Sequence, residues 1–424
     1  METVVQNITV KPLNVEGLID PQGGVYKGWQ TTGASTLGMM LGPSPILLFA
    51  FGTFVTPLNA EFGWSVASIS AGAMVVTLML VVCSIIQGFA VDHYGPRKLV
   101  LVSIPAFGMA VAALHWLTPN IMGFYFGLAL AAACAVGIWP VAYNKAIAAW
   151  FDKRLGLSLG IGNAGVGFGA ALVPAISAFL IANHGWRNAY LVLGLIAVLI
   201  PWPVVFAFLK EPAQSRTQRE VEVPSVDTGL TFAQARGTPA FAVLLSGFLL
   251  LGLISSSIVI HQIQILIDTG MSVGQATAMQ SALGGALILG RIGTGWLLDR
   301  VRAPSVLIVM CVAAAIALGL LYAGAPYGTA PLCAVLMGFV IGAEFDVLGF
   351  VIPRYFGRKA FGVLYASIFA SFQLLAAVSI PMVGLVKSKT GSYGPALAVL
   401  AILMLVAAAV FSRLGPYRYA TSQK

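Results

Sequence analysis

The sequence predicts an all-α membrane protein whose twelve transmembrane helices form two pseudo-symmetric six-helix halves. Three observations predict it. The 424 residues are 59% hydrophobic and only 9% charged, with a mean hydropathy of +0.92, whereas a soluble domain carries roughly 25% charged residues. About twelve apolar runs are each long enough to cross a bilayer as a helix, which needs about 20 residues. The two halves repeat the same punctuation at a nearly constant offset. A soluble fold is excluded.

Taken in order, residues 1–28 are polar and lack the short apolar core of a cleavable signal, so they read as a cytoplasmic tail. Asn7-Ile8-Thr9 matches a glycosylation acceptor, but in such a tail it never meets the glycosylation machinery. The N-terminal half covers 29–209, with spans at 29–57, 66–91, 99–117, 121–150, 155–183 and 187–209. Pro43 and Pro45 in the first span free backbone carbonyls, which implies a bend or a cavity-lining stretch. The fourth span ends in Trp139, Tyr143, Asn144 and Lys145; Tyr143 and Asn144 are candidate pocket donors, and the stem of Lys145 is long enough to snorkel to the inner surface. The fifth carries Gly160, Gly162, Gly165, Gly167 and Gly169. No Lys-Ser/Thr follows and no strand precedes them, so they read as small residues that let membrane helices approach, not as a phosphate loop.

Residues 210–238 form the longest polar stretch between spans and read as a cytoplasmic linker, best taken as an uncommitted loop although it has room for a short surface helix near Thr231 to Arg236. The C-terminal half covers 239–412, with spans at 239–267, 273–298, 304–323, 329–353, 360–386 and 393–412, followed by a second cytoplasmic tail at 413–424. With both termini inside, 18 of the 23 basic residues fall in cytoplasmic segments, and the outer loops hold only Arg187, Lys387 and Lys389. That asymmetry satisfies the positive-inside rule, so the net charge of +9 reflects topology and not a nucleic-acid footprint. Cys83, Cys134, Cys311 and Cys333 lie inside spans without metal-ligand spacing and read as small core residues.

The repeat is explicit in three places. Gly88 and Asp92 in GFAVDHYGPRK correspond to Gly295 and Asp299 in GWLLDRVRAPS at an offset of 207. Trp150-Phe151 corresponds to Tyr355-Phe356 at 205, and Gly185 to Gly391 at 206. Two six-helix repeats with a midplane cavity between them describe a transporter that rocks around its site.

GFAVDHYGPRK resembles the loop signature between the second and third helices of the major facilitator superfamily. That resemblance implies the major facilitator fold and a conformational latch made by Gly88, Asp92 and Arg97 with their repeats Gly295, Asp299 and Arg300. Small glycines permit close helix approach, and the aspartates can accept hydrogen bonds at a neighbouring helix N-terminus. EFGWSVASIS, WFDKRLGLSLGIGNAGVGFG and HGWRNAY, in that order, look like the monocarboxylate porter and oxalate/formate antiporter branch.

The eighth span places Arg291 in an otherwise uncharged run, eight residues or about 12 Å of helix before Asp299. An arginine near the bilayer centre costs about 2.5–3.5 kcal/mol on insertion scales and faces the bundle interior or a water-filled cavity. Its guanidinium matches a carboxylate with two parallel hydrogen bonds and stays charged; the resemblance implies the same substrate-anchoring role. A structural ion pair with an acid of the tenth span is the other reading. Of the fourteen acidic residues only Glu344 and Asp346 lie inside spans. Two positions along a helix turn by about 200°, so only one of them can face the cavity centre, and a membrane-embedded carboxylate is a natural proton carrier.

The sequence departs from the branch at two points. Leu287 stands where many members carry an aspartate one turn before the arginine, so Glu344 or Asp346 is expected to supply the counter-charge. The eleventh span has no lysine before Lys387, which disfavours dianions; Gln373 and Ser371 remain there as neutral donors. His261 suits proton relay or a simple polar contact near the outer end of the seventh span. Phe49, Phe51, Phe369 and Phe372 either line a pocket or face lipid. No nucleophile-base arrangement appears, so an enzyme is not expected, and no cofactor beyond the proton is called for. The expectation is a monomeric secondary transporter of the bacterial inner membrane that takes up a monocarboxylate with a proton by alternating access. Anion exchange and, more remotely, drug efflux by proton antiport are the alternatives.

Overall fold

The computed structural model describes residues 26–212, 229–324 and 328–419. The tails at 1–25 and 420–424 and most of the linker, 213–228, lie outside the described residues.

Among the described residues ten helices are long and apolar enough to cross a membrane, and a further bent pair, Lys27–Phe49 with Phe51–Phe62, makes the eleventh span. One of the ten, Leu155–Phe208, runs for 54 residues, or about 81 Å of helix against a core of about 30 Å. It is broken at Gly185, whose φ of 77° and ψ of 161° are not helical and suit a residue without Cβ. Twelve spans result, as the apolar runs predict. We label them α1 (Lys27–Phe49 and Phe51–Phe62), α2 (Val66–Tyr94), α3 (Pro96–Trp116), α4 (Ile121–Ala148), α5 (155–184) and α6 (186–208). The second half contains α7 (Pro239–Asp268), α8 (Val273–Leu298), α9 (Ala303–Tyr322), α10 (Ala330–Phe356), α11 (Phe361–Thr390) and α12 (Gly394–Phe411).

Local sequence explains the breaks. After Pro43 and Pro45, α1 loosens into a π-helical turn at Ser44–Phe49 and bends by 42°, because proline removes a ladder donor and crowds the preceding turn. In α4 a 3₁₀ turn at Ala135–Gly137 precedes Pro140, which opens a new helical segment at a position where its missing N–H costs nothing. Gly391, the repeat of Gly185, ends α11 with a φ of 73°. The end of the linker, where the sequence favours an uncommitted loop, instead forms a short helix at Phe232–Arg236, closed by a reciprocal capping box between Thr231 and Gln234.

The halves meet along α2 with α11 and α5 with α8, where glycine brings backbones together. A Cβ on Gly88 would stand 2.7 Å from the carbonyl oxygen of Gly362, and Gly156 and Gly295 occupy the same mutual relation between α5 and α8. Gly165 and Gly169 fit α5 against the backbone of α1, and Gly160 fits it against the carbonyl of Arg291. The glycines of α5 are therefore contact surfaces on two sides of one helix.

One end of the bundle is closed by polar links between halves. Asp92 accepts from the backbone N–H groups of Gly362 and Val363 at 2.9 and 3.0 Å. Asp299 accepts from Gly156 and Leu157 at 2.7 and 2.9 Å. Each carboxylate thus caps the first turn of a helix in the other half, where the macrodipole favours negative charge. Arg97 and Arg300 stay within their own halves: Arg97 donates to the Phe206 carbonyl, and Arg300 donates to Trp296 and stacks on its ring. The arginines that cross are Arg354, donating to the Asp152 carbonyl at 2.8 Å, and Arg358, donating to Phe151 at 3.1 Å. Lys145 bonds Asp92 at 2.7 Å, reaching toward this end through a partner rather than to open solvent. At the opposite end the ion pairs of Glu61 with Arg187 and of Asp268 with Lys387 each lie inside one half.

Candidate functional site

The site is built where α8 and α10 run side by side. Gly338 fits against the carbonyl of Leu283 and Gly342 against that of Leu287, a sequence difference of 55 in each case. The same register carried one turn further pairs Arg291 with Asp346. Their closest charged atoms, Nη1 and Oδ1, are 3.9 Å apart. The glycines that let α10 approach explain why this acid reaches the arginine although Leu287 occupies the preceding turn of α8.

That pair is buried and incompletely bonded. Arg291 is 5% exposed and Asp346 fully buried. Neither carboxylate oxygen of Asp346 makes a hydrogen bond, nor does Nε of Arg291. At 3.9 Å the ion pair is too long to be a hydrogen bond. A buried pair in this geometry recovers little of the several kcal/mol that desolvation costs each ion. Asp346 thus holds Arg291 only loosely.

A neutral network faces the pair from both halves. Asn163 of α5 donates to the side-chain oxygen of Asn144 at 2.9 Å, and Asn144 donates to the Tyr365 hydroxyl of α11 at 3.2 Å. Tyr365 lies within electrostatic range of both Arg291 and Asp346, and Asn163 stands beside Asp346 without completing a hydrogen bond to it. Gly160 sets the level, because its contact with the Arg291 backbone places Asn163, one turn along α5, next to the charged pair. The side-chain oxygen of Asn163 and the hydroxyl of Tyr143 are both buried without a partner. Tyr143 packs against Gly38 of α1.

The remaining sequence candidates separate from this centre. Glu344 points away from Asp346, as a two-residue spacing requires; it is fully buried against the Ser255 hydroxyl of α7. His261 faces the Ile380 carbonyl of α11 at 3.1 Å and the Tyr393 hydroxyl at 3.5 Å, six residues or about 9 Å further along α7 than Ser255. Gln373 is half-buried, one turn beyond Phe369, which packs on Phe345 with ring centres 5.0 Å apart. Ser371 lies on a lateral groove between α2 and α11. Phe51, Phe369 and Phe372 are buried, whereas Phe49 is exposed on the outer surface. All four cysteines are free, and no cluster that could hold a metal occurs among the described residues.

Asn163 and Tyr365 are the site residues that sequence reasoning passed over. Asn163 sits inside GIGNAGVGFG, where the glycines draw attention, and a lone tyrosine on an apolar helix has no spacing signal of its own. Their shared signal is only that each is a hydrogen-bonding side chain placed mid-span.

A family model described as Major Facilitator Superfamily matches residues 37–343. Rat monocarboxylate transporter 13 is 24% identical over 86% of this chain and 84% of its own length. The cis,cis-muconate transport protein of Acinetobacter baylyi is 25% identical over 84% and 87%. An uncharacterized MFS-type transporter of Bacillus subtilis, YcxA, is 24% identical over 61% of this chain, and the match spans 62% of that relative's length. Among solved structures, a double-tryptophan mutant of XylE superposes with a TM-score of 0.74 over 93% of this chain and 97% of its own at 14% identity. The human organic anion transporter MFSD10 gives 0.68 over 91% and 99%, also at 14% identity. At such identity the structural likeness speaks to the fold alone.

Proposed function

The chain belongs to the Major Facilitator Superfamily, a family of membrane transporters and not enzymes, and on that premise we propose that it carries a monocarboxylate together with a proton by alternating access. The observation that carries the proposal is the loose, buried pairing of Arg291 with Asp346 between the halves. In the empty site Asp346 neutralises Arg291. An arriving carboxylate takes the guanidinium with two parallel hydrogen bonds, which are shorter and stronger than the contact it replaces. Asp346, losing its counter-charge while buried, then binds a proton, and the loaded site crosses without an uncompensated charge. Asn144, Asn163 and Tyr365 hold the rest of the substrate, and Tyr143 lines its edge.

The single cation of the site supports a monoanion over a dianion. The names of the relatives, monocarboxylate transporter 13 and cis,cis-muconate transport protein, agree with an organic acid as substrate. Placement of the basic residues supports both termini on the cytoplasmic side and the latch at that end, and short loops support a bacterial inner membrane; the proposed working unit is the monomer. No bound cofactor enters this reading, the proton being the coupling ion. Exchange of one anion for another is the second reading: it needs only that the empty Arg291 cannot cross unpaired, and the 3.9 Å separation leaves its pairing with Asp346 loose.

The test is uptake of labelled mono-, di- and aromatic carboxylates into proteoliposomes with an imposed pH gradient, for the parent and for Arg291→Ala. Uptake of monocarboxylates driven by the gradient and lost in the variant is the expected outcome. Equal uptake by parent and variant removes Arg291 from the mechanism, and uptake indifferent to the gradient favours exchange.

A further inference from the structure

The second buried acid, Glu344, stands outside the substrate site and has its own polar surroundings. Its carboxyl contacts the Ser255 hydroxyl, and the same hydroxyl lies 3.2 Å from the Leu251 carbonyl. A serine has one hydrogen, whereas a carboxylate and a carbonyl are both acceptors only. Both contacts become hydrogen bonds together when the carboxyl carries a proton, donates it to Ser255 Oγ, and Ser255 donates to Leu251. Arg291 of α8 and Cys311 of α9 are the charged and titratable groups in electrostatic range from neighbouring helices, and Asp346 lies two residues along α10.

Outward of Ser255 stand two carboxamides, one on α7 and one on α8. Gln262, seven residues on and so on the same side of α7, is 3% exposed, and its Oε1 is buried without a hydrogen bond. Gln280 of α8 donates to the Val259 carbonyl at 3.2 Å, one turn before Gln262, and its own Oε1 is likewise buried and unpartnered. Unpaired buried acceptors are rare in native proteins, and ordered water is their usual partner. Ser255 to Gln262 spans about 10.5 Å of helix, a distance that a short water chain covers.

We infer that Glu344 is a proton-binding site served from the outer end by a hydrated path along α7 and α8, past Gln280 and Gln262 to Ser255, separate from the substrate's route to Arg291. In release, the Glu344 proton passes to Ser255 Oγ as the serine hydrogen passes to water on the Gln262 side, so that one proton leaves and the carboxylate remains. This rests on the transport reading for its purpose, but not for its detection.

The experiment has two arms on the purified, reconstituted protein. Infrared difference spectroscopy between acidic and basic pH reads the carboxyl band of a protonated acid, and its hydrogen–deuterium exchange reads access to it. Glu344→Gln is expected to remove one such band, while Gln262→Leu and Gln280→Leu keep the band and slow its exchange severalfold. The second arm compares pH-driven net uptake with carboxylate counterflow, which needs no net proton movement. Both glutamine variants are expected to slow pH-driven net uptake severalfold while keeping counterflow, which also certifies their folding; Gln262→Met serves where Gln262→Leu does not insert. Absence of a band that depends on Glu344, or unchanged exchange in both glutamine variants, overturns the proposal, as does loss of counterflow together with uptake, which puts these carboxamides on the substrate. A parent that shows the band and its exchange but moves no carboxylate leaves the proton site standing and removes the carboxylate reading instead.

Discussion

Arg291 and Asp346 face each other across 3.9 Å in the register that Gly338 and Gly342 impose on α8 and α10. The pair is close enough to share charge and too far to share a hydrogen. On the proposed cycle two demands meet in it: the empty site must not carry a bare charge through the membrane, and the filled site must release Arg291 to the substrate.

Removing one member of the pair strands the other. Breaking a buried ion pair from one side destabilises by about 3–5 kcal/mol, while replacing both members by apolar residues is often neutral or better. Arg291→Met is therefore expected to lower the thermal unfolding temperature in detergent, and Arg291→Met combined with Asp346→Leu to restore most of it. Neither form should bind carboxylate. A double variant less stable than the single one contradicts the pairing.

Asp92 and Asp299 cap helices of opposite halves through equivalent backbone pairs, and as a proposed latch they act in parallel. Hydrogen bonds to a charged group contribute about 1.5–3 kcal/mol, so each of Asp92→Asn and Asp299→Asn should shift the populations toward the form open at this end, and the double variant further. Spin labels at Lys98→Cys and Ser305→Cys, both exposed, should show a growing long-distance component in pulsed electron resonance. Unchanged distances in the double variant would mean that Arg354 and Arg358 hold the end closed alone.

Gly160 touches the carbonyl of Arg291 so closely that a side chain there would overlap backbone. Gly160→Val should separate α5 from α8, abolish transport and lengthen the same label distance, while the protein still inserts. Normal uptake by this variant would show that the approach of the two helices is not needed for the cycle.

Tyr365 joins the halves through Asn144. Tyr365→Phe removes a neutral hydrogen bond with a net value of about 0.5–1.5 kcal/mol, so KM for the carboxylate is expected to rise severalfold with the maximal rate nearly retained. A collapse of the maximal rate with unchanged KM would place the hydroxyl in the conformational step instead.

The legible part of this protein is the part dictated by the solvent. Length of apolar runs, placement of lysine and arginine, and the repeat of Gly88 and Asp92 as Gly295 and Asp299 determined twelve helices in two halves, because lipid leaves a chain few other options. Arg291 was equally visible, since one charge in an apolar run is conspicuous whatever surrounds it. Which acid faces it was not, because Glu344 and Asp346 differ in sequence by two positions and in space by opposite sides of a helix. Only the packing of α10 on α8 through Gly338 and Gly342 decided that Asp346 meets Arg291 and Glu344 meets Ser255. The same holds for Asn163 and Tyr365, whose roles arise from long-range contacts between helices that no local pattern encodes, and for Arg354 and Arg358, which cross between halves where Arg97 and Arg300 do not. Sequence recorded what the membrane demands of each helix; tertiary structure set the angle at which each helix turns toward its neighbours, and with it which charges meet.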